Sequence, residues 1–160
     1  ARPRPPRLNL IELRPLISDA VTIVRRDPVA QSIEIVIEGD DVSALVDDEL
    51  IRATVLNLLL NAAQAMAGRG RITVKLGKSG DLTTIEVRDT GAGIPAEIRN
   101  QVFEPFFTTK ARGGGLGLPI ARRTAELHGG SLALECPDSG GTVVTLRLPI
   151  QPVATRRESA

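Results

Sequence analysis

The first half of the chain alternates between segments with helical and with strand-like spacing of apolar residues. Leu8 begins a short strand, and residues 11–25 have apolar side chains at helical spacing. Residues 32–37 and 42–46 read as strands around a turn, and two neighbouring short strands favour antiparallel pairing with each other. The predicted buried face of the first helix consists of Leu13, Leu16, Ile17, Ala20, Val21 and Val24.

The second half of the chain contains two predicted hairpins and one long glycine-rich connection at residues 90–117. The hairpins pair residues 71–78 with 82–88, and residues 131–135 with 142–148. Residues 116–128 read as a helix with Ile120, Thr124 and Leu127 on one face. Helices that alternate with antiparallel strand pairs predict an α/β fold, a two-layer sandwich with one mixed, mostly antiparallel sheet and helices on one face.

Composition limits the class of protein. A chain of 160 residues buries roughly 70% of its unfolded surface without disulfides or metals. The net charge of +1 and the three aromatic residues argue against nucleic acid as a partner. The single cysteine, Cys136, suits a reducing compartment, and neither a signal peptide nor a membrane-spanning segment is evident, so we expect a cytoplasmic protein. We divide the chain into a linker (1–7), one domain (8–150) and a flexible tail (151–160).

The helix after residue 46 carries three amides in an uncharged setting. Asp47 is its predicted N-cap and Gly68 its predicted end. Asn57, Asn61 and Gln64 lie at i, i+4 and i+7, on one face of a segment that has no charged residue. A buried amide left unpaired costs about 1 to 3 kcal/mol, so a polar partner is expected there. Neighbouring backbone, a helical interface and a ligand all fit this pattern.

A carboxylate ends the second strand of the first hairpin. Asp89 shares the apolar face of Ile85 and Val87 by the two-residue period of a strand, and a carboxylate on that face needs hydrogen-bond donors.

Three segments match the residue patterns of phosphate-binding motifs. The P-loop match at residues 77–79 fails because the earlier glycine and the following helix are missing. The dinucleotide match at residues 91–96 fails because no parallel strand with an acidic residue follows. The glycines of residues 113–117 lead into the start of a helix, where exposed N–H groups bind anions.

Taken together and in order, four segments resemble the N, G1, F and G2 boxes of the catalytic domain of bacterial sensor histidine kinases. The segments are Asn57–Ala62, Asp89–Ile94, Phe103–Phe107 and Gly113–Leu118. The resemblance covers roughly residues 8–149, and it implies the ATP-binding fold shared with gyrase, Hsp90 and MutL.

The resemblance also implies a nucleotide site with ATP and Mg²⁺ as cofactors. Asp89 is expected to accept the adenine amino group, Asn61 to hold Mg²⁺, and Lys110 to supply charge to the phosphates. Thr142 matches a polar residue near adenine, although a plain strand threonine fits equally well. The full expected nucleotide-binding set is Asn57, Asn61, Asp89, Gly91, Gly93, Ile94, Lys110, Gly113, Gly115, Leu116, Gly117, Leu118 and Thr142.

The resemblance implies phosphotransfer between proteins. Asn57 stands where hydrolysing relatives carry a glutamate, and an amide cannot accept a proton at neutral pH. The only histidine, His128, matches a helix-end position in the family, so we expect it to have a structural role. We therefore expect no catalytic residue in this chain and a phosphoacceptor histidine outside this chain. The expected partners are a histidine-bearing dimerisation domain and a response regulator receiver domain, with the fragment monomeric and its parent a homodimer. A superfamily ATPase and a nucleotide-sensing module are the alternative functions. At position 64 this chain has Gln, where many kinases have Lys or Arg.

Overall fold

The structure is a computed structural model that describes residues 4–104 and 117–151. Its strands are β1 (Asn9–Glu12), β2 (Ile33–Gly39), β3 (Ser43–Val46), β4 (Gly70–Ser79), β5 (Leu82–Asp89), β6 (Ser131–Glu135) and β7 (Thr142–Pro149). Its α-helices are α1 (Leu13–Val24), α2 (Asp48–Ala65) and α3 (Gly117–Leu127), and two 3₁₀ turns lie at Pro28–Ala30 and Ala96–Gln101.

The main sheet has the strand order β2-β4-β5-β7-β6. Its neighbours pair antiparallel except β2 and β4, which run parallel. The predicted hairpins β4–β5 and β6–β7 are both present, so the prediction of a mixed, mostly antiparallel sheet is confirmed. The parallel pair requires a long crossover between β2 and β4, and α2 lies within that crossover.

The predicted pairing of β2 with β3 is wrong. Strand β3 instead pairs antiparallel with β1 in a separate two-stranded sheet. Gly39 ends β2 with φ at +96°, and a Cβ there would lie 2.1 Å from the carbonyl oxygen of Leu76, so the chain turns away while tight against β4. The Thr83 hydroxyl then donates to the Ser43 carbonyl oxygen at 2.7 Å, which fixes β3 over β5.

The helices form the second layer. Helix α2 packs between α1 and α3 and contacts β4 and β5, while α3 also contacts β6 and β7. All six residues of the predicted buried face of α1 are buried. In α3, Thr124 is buried, whereas the side chain of Ile120 is 54% exposed. The buried face is turned towards Ala121 and Ala125, whose small side chains allow the close approach to α2.

Helix α2 begins as predicted and ends earlier. The Asp47 carboxylate caps it by accepting from the Leu50 N–H at 3.2 Å. The helix ends at Ala65, and Ala67 and Gly68 follow with positive φ angles of 52° and 84°, so the chain leaves the helix before the predicted glycine stop. Among the helices of the described ranges, none is both long and apolar enough to cross a membrane.

Candidate functional site

Asp89 lies at the end of β5 with its carboxylate held by two backbone N–H groups. Its side chain is on the buried side of the strand, as predicted, and the residue is 6% exposed. Oδ1 accepts from the Gly91 N–H at 2.9 Å and from the Thr142 N–H at 3.2 Å. Since Asp89 and Thr142 are also register partners in the β5–β7 pair, the sheet itself orients the carboxylate.

Glycines surround Asp89 because the backbone passes too close for side chains. Gly141 has φ at +79°, and a Cβ there would lie 2.1 Å from the carbonyl oxygen of Asp89. A Cβ on Gly91 would lie 3.0 Å from the Ala65 carbonyl oxygen and 3.1 Å from Oδ1 of Asp89. The loop after β5 therefore runs directly beside the last turn of α2.

The same loop continues along the connection between β6 and β7. Gly93 has φ at +79°, and a Cβ there would be 3.1 Å from the Gly141 carbonyl oxygen. The Ile94 N–H points at Sγ of Cys136 at 3.4 Å, and the Ile94 carbonyl oxygen accepts from Nε of Arg99 at 2.9 Å. Gly91, Gly93 and Ile94 are thus brought together with Asp89 and held in one loop conformation.

Of the three amides of α2, Asn61 lies against the start of α3. Asn57, Asn61 and Gln64 are all partly buried. Gly117, the first residue of α3, lies so close to Asn61 that a Cβ on it would be 2.3 Å from Nδ2. Nδ2 of Asn61 is buried and has no hydrogen-bond partner among residues 4–104 and 117–151. Leu118, the next residue, is partly buried and packs against the hydrophobic core.

Several predicted site residues fall outside the part of the chain that the structure describes. These are Lys110, Gly113, Gly115 and Leu116, together with Phe106 and Phe107 of the aromatic motif. Phe103 is described, and the guanidinium of Arg122 in α3 lies 5.3 Å from the centre of its ring. The remaining predicted residues lie in the C-terminal half of α2, at the end of β5 and in the loop after it, at the start of β7, and at the start of α3.

A buried polar node lies at the opposite end of α2. The Asp47 N–H donates to Nε2 of His128 at 3.1 Å, and Nδ1 of His128 donates to the Thr124 carbonyl oxygen at 2.7 Å. His128 is 4% exposed and both ring nitrogens are engaged. The hydrogen bond from the Arg4 guanidinium, with the N–H groups of Arg7 and Leu50, holds the pKa of Asp47 well below its usual range despite its burial.

Sequence reasoning missed some of these contacts. Gly141 has a signal, because a pair of glycines before a buried strand often marks a sharp turn, but the close approach to Asp89 depends on strand register. No sequence signal predicts the contact of Cys136 with Ile94 or that of Arg4 with Asp47, because these pairs are 42 and 43 positions apart in the chain.

A known protein family, several known proteins and several solved structures are similar to this chain. The family model described as "Histidine kinase-, DNA gyrase B-, and HSP90-like ATPase" matches residues 46–152. The chain is 33% identical over 155 residues to the signal transduction histidine-protein kinase AtoS of Escherichia coli K12, covering 95% of this chain and 26% of that protein. It is 37% identical over 155 residues to the C4-dicarboxylate transport sensor protein DctS of Rhodobacter capsulatus, covering 92% and 23%. The chain therefore spans about a quarter of the length of these relatives.

Solved structures with a similar fold include catalytic domains of histidine kinases. The mycobacterial sensor histidine kinase MprB aligns with a TM-score of 0.81 and 30% identity, covering 92% of this chain and all of that chain. The nucleotide-free catalytic domain of the histidine kinase ThkA aligns with a TM-score of 0.81 and 29% identity, covering 91% and 97%. ThkA in complex with the response regulator protein TrrA aligns with a TM-score of 0.79 and 27% identity, covering 92% of this chain and 43% of that one.

Proposed function

Because this chain belongs to the histidine kinase-, DNA gyrase B- and HSP90-like ATPase family, we propose that the region around Asp89 and the amides of α2 binds ATP with Mg²⁺ for transfer of the γ-phosphoryl group to a histidine. The observation that carries the proposal is the buried Asp89 carboxylate, oriented by two N–H groups, with the loop after it running beside the last turn of α2, the helix that carries the amides. Asp89 provides a fixed acceptor, and Asn61 provides a buried amide that needs a partner.

In this proposal Asp89 recognises the adenine base. The N–H groups of Gly91 and Thr142 both donate to Oδ1 and fix the orientation of the carboxylate, which is an acceptor with two oxygens. The exocyclic amino group of adenine donates to it, whereas guanine presents a carbonyl oxygen at the same place, and two acceptors repel. Gly91, Gly93 and Ile94 let the backbone approach the base and sugar, and Thr142 lies next to the base.

Asn57, Asn61, Gly117 and Leu118 form the phosphate end of the proposed site. The structure supports this because the Asn61 amide is buried beside Gly117 with its Nδ2 unpaired among the described residues. Amide oxygens are hard ligands that suit Mg²⁺, so the donor chemistry of Asn61 fits the ion. Mg²⁺ bound there supplies positive charge that neutralises the phosphates. The roles of Lys110, Gly113, Gly115 and Leu116 stay predictions from the resemblance.

We further propose phosphotransfer rather than hydrolysis as the reaction. Asn57 cannot remove a proton from water at neutral pH, so the site holds the γ-phosphoryl group without activating a water molecule. His128 is buried with both ring nitrogens bonded, which agrees with a structural role and with a phosphoacceptor histidine on a separate dimerisation domain. ThkA has been crystallised with a response regulator, and we propose a receiver domain as the final acceptor here too. We propose that the 160-residue chain is itself monomeric and works in the cytoplasm as part of a homodimeric parent, whether or not that parent is anchored in a membrane.

Calorimetry on the 160-residue chain tests the binding proposal. We expect ATP and ADP to bind in the presence of Mg²⁺ and GTP to bind much more weakly. If neither adenine nucleotide binds, the proposal is wrong.

A second experiment separates the possible reactions. The chain is mixed with a histidine-bearing dimerisation domain of a related kinase and ATP labelled at the γ-phosphate. Label on the histidine supports phosphotransfer. Steady release of free phosphate supports a superfamily ATPase, and binding with neither product supports a nucleotide-sensing module.

A further inference from the structure

Helices α2 and α3 run antiparallel and are joined near both ends by specific contacts. At one end, the Asp47 N–H donates to His128 at 3.1 Å. At the other end, Gly117 lies against the Asn61 side chain. The two contacts are about 20 Å apart along α2 and about 16 Å apart along α3, at 1.5 Å per residue. A helix of this length moves as one body, so its position at His128 also sets its position at Asn61.

The Asp47 side chain holds the N-terminal segment of the chain. Its Oδ2 accepts from Nη1 of Arg4 at 2.6 Å and from the Arg7 N–H at 2.9 Å. Arg4 also donates to Glu49 at 3.2 Å. Asp47 itself is 2% exposed, so this is a buried carboxylate whose partners come from a segment that is otherwise largely exposed. One residue therefore contacts the N-terminal segment through its side chain and α3 through its backbone.

A third contact of α3 involves the residues that follow the loop at Asp89. The guanidinium of Arg122 lies 5.3 Å from the centre of the Phe103 ring. Phe103 is the last aromatic residue described before residue 117. Helix α3 therefore contacts Asn61 at its start, Phe103 at its middle and Asp47 after its last turn.

We propose that Asp47 and His128 are positioning residues for the nucleotide site, so that docking of residues 4–7 on Asp47 and binding of nucleotide beside Asn61 favour each other. The inference rests on the proposed nucleotide site. Undocking of Arg4 and Arg7 leaves the buried Asp47 carboxylate short of donors, which loosens its backbone contact with His128 and hence the position of α3. By linkage, a nucleotide that fixes Gly117 against Asn61 strengthens the docking of Arg7 by the same factor.

Arg4→Gln tests the effect of docking on nucleotide affinity. Arg14→Gln is the matched control. Arg14 lies on α1 and also pairs with an aspartate, Asp41. We expect Arg4→Gln to weaken binding of ADP with Mg²⁺ about fivefold, within the usual range of coupling between sites, and Arg14→Gln to leave it unchanged. Arg4→Gln that lowers stability while its ADP affinity equals that of the wild type overturns the proposal.

Hydrogen exchange at the Arg7 amide tests the reverse direction. Saturating ADP with Mg²⁺ should slow its exchange by a similar factor in the wild type. His128→Leu should abolish this response, and His128→Gln should restore it, because a glutamine oxygen can replace Nε2 as the acceptor for the Asp47 N–H. The proposal is overturned if ADP does not change the exchange rate of the Arg7 amide in the wild type. It is also overturned if ADP still slows this exchange in a folded His128→Leu variant.

The Arg4→Gln comparison remains decisive if His128→Leu does not fold. If the wild-type chain binds no nucleotide, the proposed function and this inference fall together. If it binds normally and Arg4→Gln does not change the affinity, only the coupling falls.

Discussion

Gly141 lies directly against the backbone of Asp89, with room for a hydrogen atom and for nothing larger. A Cβ at position 141 would be 2.1 Å from the Asp89 carbonyl oxygen, and φ is +79°. This contact brings the Thr142 N–H to the Asp89 carboxylate at 3.2 Å. The orientation of the proposed adenine acceptor thus depends on a glycine in the turn before β7.

Gly141→Ala should therefore be severely destabilising. A left-handed backbone costs about 1 to 2 kcal/mol for a non-glycine residue, and overpacking adds roughly 1 to 3 kcal/mol. Gly80→Ala is the matched control, since Gly80 has φ at +62° with no atom within 4 Å of the added Cβ. Urea unfolding should show the control losing only the backbone cost. Equal losses in both variants would show that the contact with Asp89 is unimportant.

Asp89→Asn should weaken nucleotide binding without unfolding the protein. An asparagine oxygen can still accept from Gly91 and Thr142, but the charged acceptor for the adenine amino group is lost. Charge-assisted hydrogen bonds contribute about 1.5 to 3 kcal/mol, so calorimetry should show ADP affinity falling roughly ten- to a hundredfold. Asp19→Asn, at an exposed position on α1, removes the same charge and should bind ADP normally. Unchanged affinity of Asp89→Asn would remove it from the site.

Asn61→Ala should separate binding from stability. The buried Nδ2 has no partner among the described residues, and an unsatisfied buried donor costs about 1 to 3 kcal/mol. The variant should therefore unfold at the same or a higher urea concentration without nucleotide, while its ADP affinity no longer increases when Mg²⁺ is added. Asn9→Ala, in exposed β1, should keep the Mg²⁺ response. A full Mg²⁺ response in Asn61→Ala would contradict the proposed metal site.

Residues close in sequence could be predicted better than contacts between distant ones. The buried face of α1, the N-cap at Asp47 and the two hairpins follow from periodicity and turn chemistry, and the structure confirms them. The family, suggested by four ordered motifs, is confirmed by the match over residues 46–152. The pairing of β3 with β1 was not predictable, because it depends on a tight turn at Gly39 and on the buried Thr83 hydroxyl.

Thr83→Val should lower stability through the loss of that single hydrogen bond. The Thr83 hydroxyl is fully buried and donates to the Ser43 carbonyl oxygen at 2.7 Å, joining the two sheets. Valine has the same shape and leaves the carbonyl unpaired, which costs about 1 to 3 kcal/mol. Thr84→Val, on the opposite face of β5, is the control and should change the free energy of unfolding little. Similar urea midpoints for both variants would show that the bond does not stabilise the fold.

The contribution of Asp47 to stability should be lost in acid. The hydrogen bond from Arg4 lowers the pKa of Asp47 in the folded state, so the carboxylate stabilises the fold above its ordinary pKa of about 3.9 and loses this contribution as the pH falls below that value. Asp47→Asn keeps an oxygen for the Leu50 N–H but removes the charged partner of Arg4. Urea unfolding between pH 2 and 7 should show the wild type more stable than Asp47→Asn at neutral pH, with the difference shrinking below about pH 4.

Asp41→Asn, whose carboxylate is 86% exposed and pairs with Arg14, should show a much smaller difference at every pH. A difference between wild type and Asp47→Asn that stays constant down to pH 2 would mean that the charge of Asp47 does not stabilise the fold.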